Sequence, residues 1–179
     1  MGIRSSLLDI ICAYQEAIVA RQIKLKPDIV YFGDDAGTNN ALMIRPDLWR
    51  RMIKPRLQKL MNMCLNAGII VYFHCCGHIE DIVCDFIEMG VKILNPVQAS
   101  ANNLPLIKEK TRGKITLYGG IDSDKIMRLA PDEVAALTRE TLRILGDGGG
   151  YIAGPDQLLP FPKENLEAIK NTVTSYGCS

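Results

Sequence analysis

The sequence contains no long apolar run and almost no imbalance of charge, and these two absences exclude several classes of protein. No stretch approaches the roughly 20 apolar residues that a membrane-spanning helix needs, and no signal-peptide pattern opens the chain. The formal net charge is only +1, so charge gives no reason to expect nucleic acid or a membrane surface as a partner. We therefore expect a cytoplasmic protein without a nucleic-acid or membrane partner.

Cysteine is neither dense nor regularly spaced. The six cysteines are scattered through 179 residues of ordinary globular composition, which favours a reducing compartment over a disulfide framework. Cys12, Cys64 and Cys84 fall at apolar positions of predicted helices, and we interpret them as core residues. A hydrophobic content of 47% is enough to bury a sizeable core, so we predict one domain over residues 1–179.

Short apolar runs alternate with amphipathic segments along the whole chain. This alternation predicts parallel strands joined by right-handed helical crossovers, either in an open doubly wound sheet or in part of a (β/α)₈ barrel. A long helix is expected from Pro46 to Gly68 with a kink at Pro55, and another helix from about Ile79 to Gly90. The predicted strands are residues 28–32, 69–73, 91–94, 114–118 and 151–153.

The second predicted strand runs directly into the sequence His-Cys-Cys-Gly-His at residues 74–78. Because strand side chains alternate, His74 and Cys76 share the face of Tyr72, while Cys75 lies on the opposite face. The carboxyl ends of parallel strands are where α/β folds place their chemistry. An imidazole and a thiolate there can bind one Zn²⁺ with room for a third ligand. The alternative is a packed cysteine beside a hydrogen-bonded core histidine.

Polar side chains follow every predicted strand. An open sheet collects its ligands near one switch point, whereas a barrel gathers chemistry from all of its strand ends. We therefore predict a partial TIM barrel of five βα units, compared with eight in a complete barrel of about 250 residues. The polar residues are Asp34, Asp35, His74, Cys76, Asn95, Gln98, Asp122, Asp156 and Gln157.

Two aspartate sites leave alternatives open. Asp34 and Asp35 are adjacent carboxylates that raise each other's pKa if buried, so they form either a general-base or ligand pair, or a loop cap. Asp122 either contacts substrate or caps a helix that begins near Ser123. The triple glycine at residues 148–150 precedes its strand, so we assign it to a helix stop and a tight turn and not to a phosphate loop.

Six motifs, taken in order, resemble the carboxyl-terminal half of the uroporphyrinogen decarboxylase family, and in particular its methylcobalamin:coenzyme M methyltransferase-like branch. The resemblance covers nearly the whole chain and implies the last five βα units of a (β/α)₈ barrel. The motifs are DIVYFGDDAG (28–37), the Arg45-Pro46 and Lys54-Pro55 steps, HCCG (74–77), GVKILNPVQ (90–98), YGGID (118–122), and GGGYI (148–152) followed by Glu164-Asn165.

The resemblance implies that, in this branch, a His-x-Cys pair and a later cysteine hold a zinc ion. The zinc presents the acceptor thiolate to a methyl group, which a corrinoid on a partner protein carries. His74 and Cys76 match the first two ligands. At the third position this sequence has Pro155-Asp156-Gln157, which makes Asp156 the candidate third ligand. Cys75, on the opposite face, and Cys178, near the end of the chain, are poorer candidates.

The decarboxylase branch implies a different function, namely carboxyl removal in tetrapyrrole biosynthesis, or a non-catalytic tetrapyrrole-binding fragment. Its essential aspartate and a later histidine have no counterpart here. Five strands leave two open edges, so we expect a missing barrel half on another polypeptide, or self-association. Under either reading, the candidate catalytic residues are Asp34, Asp35 and Asp122, and the candidate cofactor-binding residues are Asn95, Gln98 and Tyr118.

Overall fold

The sheet consists of five parallel strands whose spatial order follows their order in the chain. The computed structural model describes residues 3–176, with side chains from residue 7 onward. Every neighbouring pair is parallel and the order never reverses, so the sheet has no switch point and forms part of a TIM barrel, as predicted. The strands are β1 Ile29–Gly33, β2 Ile70–His74, β3 Ile93–Asn95, β4 Thr116–Ile121 and β5 Tyr151–Pro155.

Helices connect the strands in the expected places, with two differences from prediction. The predicted long helix is broken at Ile53, just before the Lys54-Pro55 step, and residues 79–82 form a turn, so the next helix starts only at Val83. In the part of the chain that the structure describes, no helix is both long and apolar enough to cross a membrane. The helices are α1 Ile3–Lys24, α2 Pro46–Met52, α3 Lys54–Asn66, α4 Val83–Glu88, α5 Leu104–Thr111, α6 Ser123–Arg128, α7 Pro131–Leu145 and α8 Lys163–Tyr176.

The hydrophobic core lies between the sheet and its helices. Val71 and Phe73 are buried on the helix-facing side of β2, and the ring centroid of Phe86 on α4 lies 5.0 Å from that of Phe73. Cys64 is buried as predicted, as is Cys12, whereas the core assignment of Cys84 is wrong. On the short α4, Val83 and Phe86 turn inward at i and i+3, which leaves Cys84 exposed.

A buried ionic cluster joins α2 and α3 to α4. The carboxylate of Asp85 is 3% exposed and accepts hydrogen bonds from the Arg50 guanidinium at 2.9–3.1 Å and from Lys54 Nζ at 2.6 Å. Burial alone raises the pKa of Asp85, but the two cations outweigh that effect and hold it below its usual value. Asp85 is therefore ionised in the folded protein at neutral pH.

The other face of the sheet is open and apolar. In a closed barrel this inward face is filled by side chains from opposite strands. Here several of its large side chains are exposed, together with a stripe on α1 at helical spacing i, i+3, i+4 and i+7. The exposed residues are Ile29, Tyr31, Ile70 and Ile152 on the sheet, and Leu7, Ile10, Ile11 and Tyr14 on α1.

The free edge of β1 adjoins a cavity. Asp28 O and Asp34 N both bond to β2, so the alternation of a parallel ladder turns the backbone groups of Tyr31 and its i±2 neighbours toward the open edge. Beside this edge, α1, α3 and β1 line a partly open cavity of about 390 Å³, whose α1 residues include Leu8, Ile11 and Val19. A right-handed βαβ unit with α1 as its crossover helix would place another strand in this space.

Candidate metal centre

His74 and Cys76 lie side by side at the carboxyl end of β2, as predicted. The His74 Nε2 atom is 3.2 Å from the Cys76 Sγ atom, and both side chains are half-buried. His74 Nδ1 lies 2.8 Å from Asn95 Oδ1, and the Asn95 amide is oriented by a bond from its Nδ2 to the Tyr118 carbonyl at 3.4 Å. An amide oxygen only accepts, so Nδ1 carries the proton and Nε2 offers its lone pair toward Cys76.

Asp35, on the loop after β1, completes a cluster of three ligand atoms. Its Oδ1 accepts a hydrogen bond from the Cys76 backbone N–H at 2.8 Å and lies 3.7 Å from His74 Nε2. One ligand atom each from Asp35, His74 and Cys76 lies within 4.8 Å of the others. These separations suit ligands that surround one zinc ion at about 2.0–2.3 Å. The donor set of nitrogen, sulfur and oxygen therefore fits a zinc site with an open position.

Two glycines bring the Asp35 loop against the His-Cys loop. A Cβ atom added to Gly37 would lie 2.5 Å from the backbone N of His78, so the two backbones touch at this point. His78 N also donates to the Thr38 carbonyl at 2.7 Å. Gly77 has a φ of +81°, a conformation that glycine adopts without strain. The close crossing is possible only without side chains, and it fixes Asp35 beside Cys76.

Asp156 lies outside this cluster, although the sequence suggested it as the third ligand. It is 3% exposed, and its carboxylate oxygens accept hydrogen bonds from the backbone N–H groups of Ala99 at 2.8 Å and Ser123 at 3.0 Å. Burial raises the pKa of Asp156, and these bonds oppose the rise. Asp156 thus ties together the loops that follow β3, β4 and β5, and both of its oxygens are occupied.

The other two predicted catalytic aspartates point elsewhere. Asp122 caps α6 through a hydrogen bond from Lys125 N at 3.1 Å, which is the capping role that the sequence left open. Asp34 is exposed and lines the cavity beneath α1. Partial desolvation there raises the pKa of its carboxyl, and the negative charge of Asp35 raises it further. Of the three, only Asp35 reaches the His-Cys pair.

Of the three residues predicted to bind a cofactor, Asn95 and Gln98 contact the loops of the centre. Asn95 holds His74, and Gln98 Oε1 accepts the Gly77 N–H at 3.0 Å, which braces the loop of Cys76. Tyr118 lies on the open face of the sheet, with its ring centroid 6.3 Å from that of Tyr72. The observed contacts show that Asn95 orients the His74 ring and that Gln98 orients the backbone next to Cys76. Direct cofactor binding by these residues remains a prediction.

Cys75 and His78 are also close in sequence to the site, but their side chains are unsuited to it. Cys75 is buried on the opposite face, where desolvation raises the pKa of its thiol to about 12 and Ala36 N donates to its sulfur at 3.3 Å. His78 Nδ1 contacts the Ala101 carbonyl at 2.8 Å, away from the cluster. Cys178 lies outside the described residues. Cys76 itself belongs to the cluster. Burial raises the pKa of its thiol, and a hydrogen bond from Gln157 opposes this rise.

Comparisons with known proteins give a family and a fold. The family model described as uroporphyrinogen decarboxylase (URO-D) matches residues 4–176. The curated proteins contain no significant match. A methyltransferase from Methanosarcina mazei has a similar structure, with a TM-score of 0.72 and 21% identity over 94% of this chain and 48% of its own. The chain thus spans about half the length of that protein.

Two further solved structures share the fold at lower similarity. A dihydropteroate synthase from Anaplasma phagocytophilum superposes with a TM-score of 0.59 at 15% identity, over 93% of this chain and 71% of its own. A 3-keto-D-glucoside 4-epimerase from E. coli does so with a TM-score of 0.53 at 14% identity, over 94% and 70%. At these identities the likeness concerns the fold alone. The family prediction is confirmed by the match over almost the entire sequence: the chain belongs to the uroporphyrinogen decarboxylase family.

Proposed function

We propose that this chain supplies the zinc-binding half of a barrel that transfers a methyl group to a small thiol. The observation that carries the proposal is the convergence of Asp35, His74 and Cys76 at the carboxyl end of the sheet. Three protein ligands with an open fourth position are typical of catalytic zinc. The order of the sequence motifs and the structural likeness to a methyltransferase support the same branch of the family.

The chain's own residues prepare the site in two ways. Asn95 keeps the proton on Nδ1 of His74, so Nε2 is free to bind the metal. The Cys76 backbone N–H holds Oδ1 of Asp35 next to the sulfur, so the carboxylate is positioned before any ligand arrives. When bound, zinc would lower the pKa of an acceptor thiol in the open position.

The proposed transfer involves a corrinoid on a partner protein as methyl donor. The corrinoid would supply the methyl group and keep the electron pair of the broken cobalt–carbon bond, and Asp35, His74 and Cys76 would hold the zinc that binds the acceptor sulfur. The proton of the thiol passes to solvent. Decarboxylation of a tetrapyrrole needs no metal and so has no use for a His-Cys pair, which is why the cluster favours methyl transfer over the other branch of the family.

The open surfaces support a second part of the proposal, that a further polypeptide segment completes the barrel. The free edge of β1 and the cavity of about 390 Å³ beneath α1 fit one additional parallel strand. The stripe of exposed apolar residues on α1 and the exposed inner face of the sheet would be covered by the same segment. We expect the chain without it to self-associate through these surfaces.

The function is tested with zinc-loaded protein, free methylcobalamin and a series of small thiols that includes 2-mercaptoethanol and 2-mercaptoethanesulfonate. We expect a methyl thioether to form with at least one thiol, and we expect the His74→Ala/Cys76→Ala variant to form none. Thiol binding is measured separately by calorimetry, since it does not require the missing half. A zinc-loaded chain that neither binds nor methylates any thiol would contradict the proposal.

A further inference from the structure

The side-chain amide of Gln157, on the loop after β5, points at the sulfur of Cys76, on the loop after β2. Its Nε2 lies 3.4 Å from Cys76 Sγ, although the two residues are 81 positions apart in the sequence. The side chains of His74, Gln157 and Asp35 all hydrogen-bond with this sulfur, and the Asp35 carboxylate can only accept. Nε2 of His74 is the unprotonated nitrogen, so Gln157 is the side-chain donor to the sulfur.

The backbone of Gln157 is held in place even though its side chain is exposed. Its N–H donates to Ser123 Oγ at 2.8 Å, and the same hydroxyl donates to its carbonyl at 3.4 Å. The preceding residue, Asp156, is buried and bonded to the backbone N–H groups of Ala99 and Ser123. A fixed backbone reduces the entropy that the side chain must lose to reach one geometry. The loop after β5 therefore holds the Gln157 side chain within reach of Cys76.

We propose that Gln157 is a positioning residue for the metal centre, donating its amide N–H to the Cys76 thiolate while that sulfur binds the metal. The inference rests on the proposed function, because it needs a metal at Asp35, His74 and Cys76. A hydrogen bond to a charged acceptor is about twice as strong as one between neutral groups. The contact thus strengthens when the thiol becomes a thiolate.

The chemical consequence concerns the electron density of the sulfur. A thiolate that accepts a hydrogen bond donates less charge to its metal, so the metal keeps more of its Lewis acidity for the substrate thiol. The contact also links the end of β5 to the end of β2 across the mouth of the sheet. Gln157 in this way controls both the orientation and the donor strength of Cys76.

The test uses cobalt(II) in place of zinc, because a cobalt–thiolate bond gives a charge-transfer absorption band whose energy reports the electron density on sulfur. Three variants are compared with the wild type: Gln157→Leu removes the donor, Gln157→Glu puts an acceptor in its place, and Leu158→Ala alters the next residue, which is 98% exposed. Far-UV circular dichroism checks that each variant is folded.

We expect the band of the Gln157→Leu variant to move to lower energy, because the sulfur regains electron density. Cobalt affinity should fall about 10- to 100-fold, because the loss of the contact that orients Cys76 outweighs the stronger donation by its sulfur. Gln157→Glu, which also lacks the N–H donor, should move the band in the same direction, whereas Leu158→Ala should match the wild type. An unchanged band and affinity in folded Gln157→Leu would overturn this inference and leave the proposed metal site intact. A wild-type protein with no thiolate-to-cobalt band would overturn both.

Discussion

The Asp35→Ala variant is expected to bind zinc at least about 100-fold more weakly than the wild type. Loss of an outer residue that only orients a ligand costs about 10- to 100-fold, and loss of a ligand itself should cost no less. Asp35 lies 3.7 Å from His74 Nε2 and belongs to the cluster of three ligand atoms. Zinc affinity is measured by competition with a chromogenic chelator at fixed pH and salt.

The neighbouring aspartate provides a matched control. Asp34→Ala removes the same charge one position earlier in the same loop, but this side chain lines the cavity beneath α1 and is absent from the cluster. Its zinc affinity should stay within about threefold of the wild type, because the remaining difference is a long-range charge effect weakened by solvent and salt. Equal losses in Asp34→Ala and Asp35→Ala would show that Asp35 contributes charge and not a ligand.

A further substitution separates the two roles of Asp35. Asp35→Asn keeps an oxygen that can accept the Cys76 N–H, so the contact between the two loops can survive. It removes the charged ligand oxygen. We expect zinc affinity close to that of Asp35→Ala with the unfolding midpoint of the wild type. Wild-type affinity in Asp35→Asn would contradict the ligand assignment.

The Asp85→Ala variant is expected to lose about 3 kcal/mol of unfolding free energy. The Asp85 carboxylate is the shared partner of Arg50 and Lys54, and the Lys54 side chain is only 20% exposed. Removing one partner of a buried ion pair leaves the other charge uncompensated, which typically costs about 3–5 kcal/mol. The lower end applies here because the Arg50 side chain is 45% exposed. Urea unfolding measures the change.

The control for Asp85 is Glu88→Ala, which removes the second carboxylate bound to Lys54. Glu88 is 66% exposed, so its loss should cost at most about 1 kcal/mol. The pKa of Asp85 lies below its usual value, so its contribution is complete above about pH 4 and disappears as the pH falls through the lowered pKa. The Asp85→Ala variant should therefore show a smaller loss of stability on acidification. Equal losses of unfolding free energy in Asp85→Ala and Glu88→Ala at neutral pH would contradict the assignment of Asp85 as the shared partner of the two cations.

The parts of the fold that depend on local pattern were predictable from the sequence. Alternation placed His74 and Cys76 on one face of β2 and Cys75 on the other, and strand–helix alternation indicated the parallel sheet. The five strands differ from prediction mainly at their ends. Residues 79–82 were expected to be helical because their apolar residues fit the helical period, but those side chains are buried in a turn before α4.

The parts that depend on distant contacts were not predictable in the same way. Asp35 and Asp156 both follow strands, and nothing local distinguishes a carboxylate that faces the site from one bonded to backbone N–H groups. The deciding feature is the crossing of two loops at Gly37 and Gly77, 40 positions apart, where only glycine fits. The two glycines are the sequence signal that could have indicated Asp35. The contact of Gln157 with Cys76 likewise joins residues 81 positions apart, and no local pattern indicates it.

The central claim is that this chain holds one metal ion at His74 and Cys76, with Asp35 as the third ligand. Elemental analysis of the purified protein, beside the His74→Ala/Cys76→Ala variant prepared in the same way, tests it most directly. The account predicts about one zinc per wild-type chain and a large loss of zinc in the variant, with both proteins folded. Equal zinc in both proteins, or none in the wild type after incubation with zinc, would contradict it.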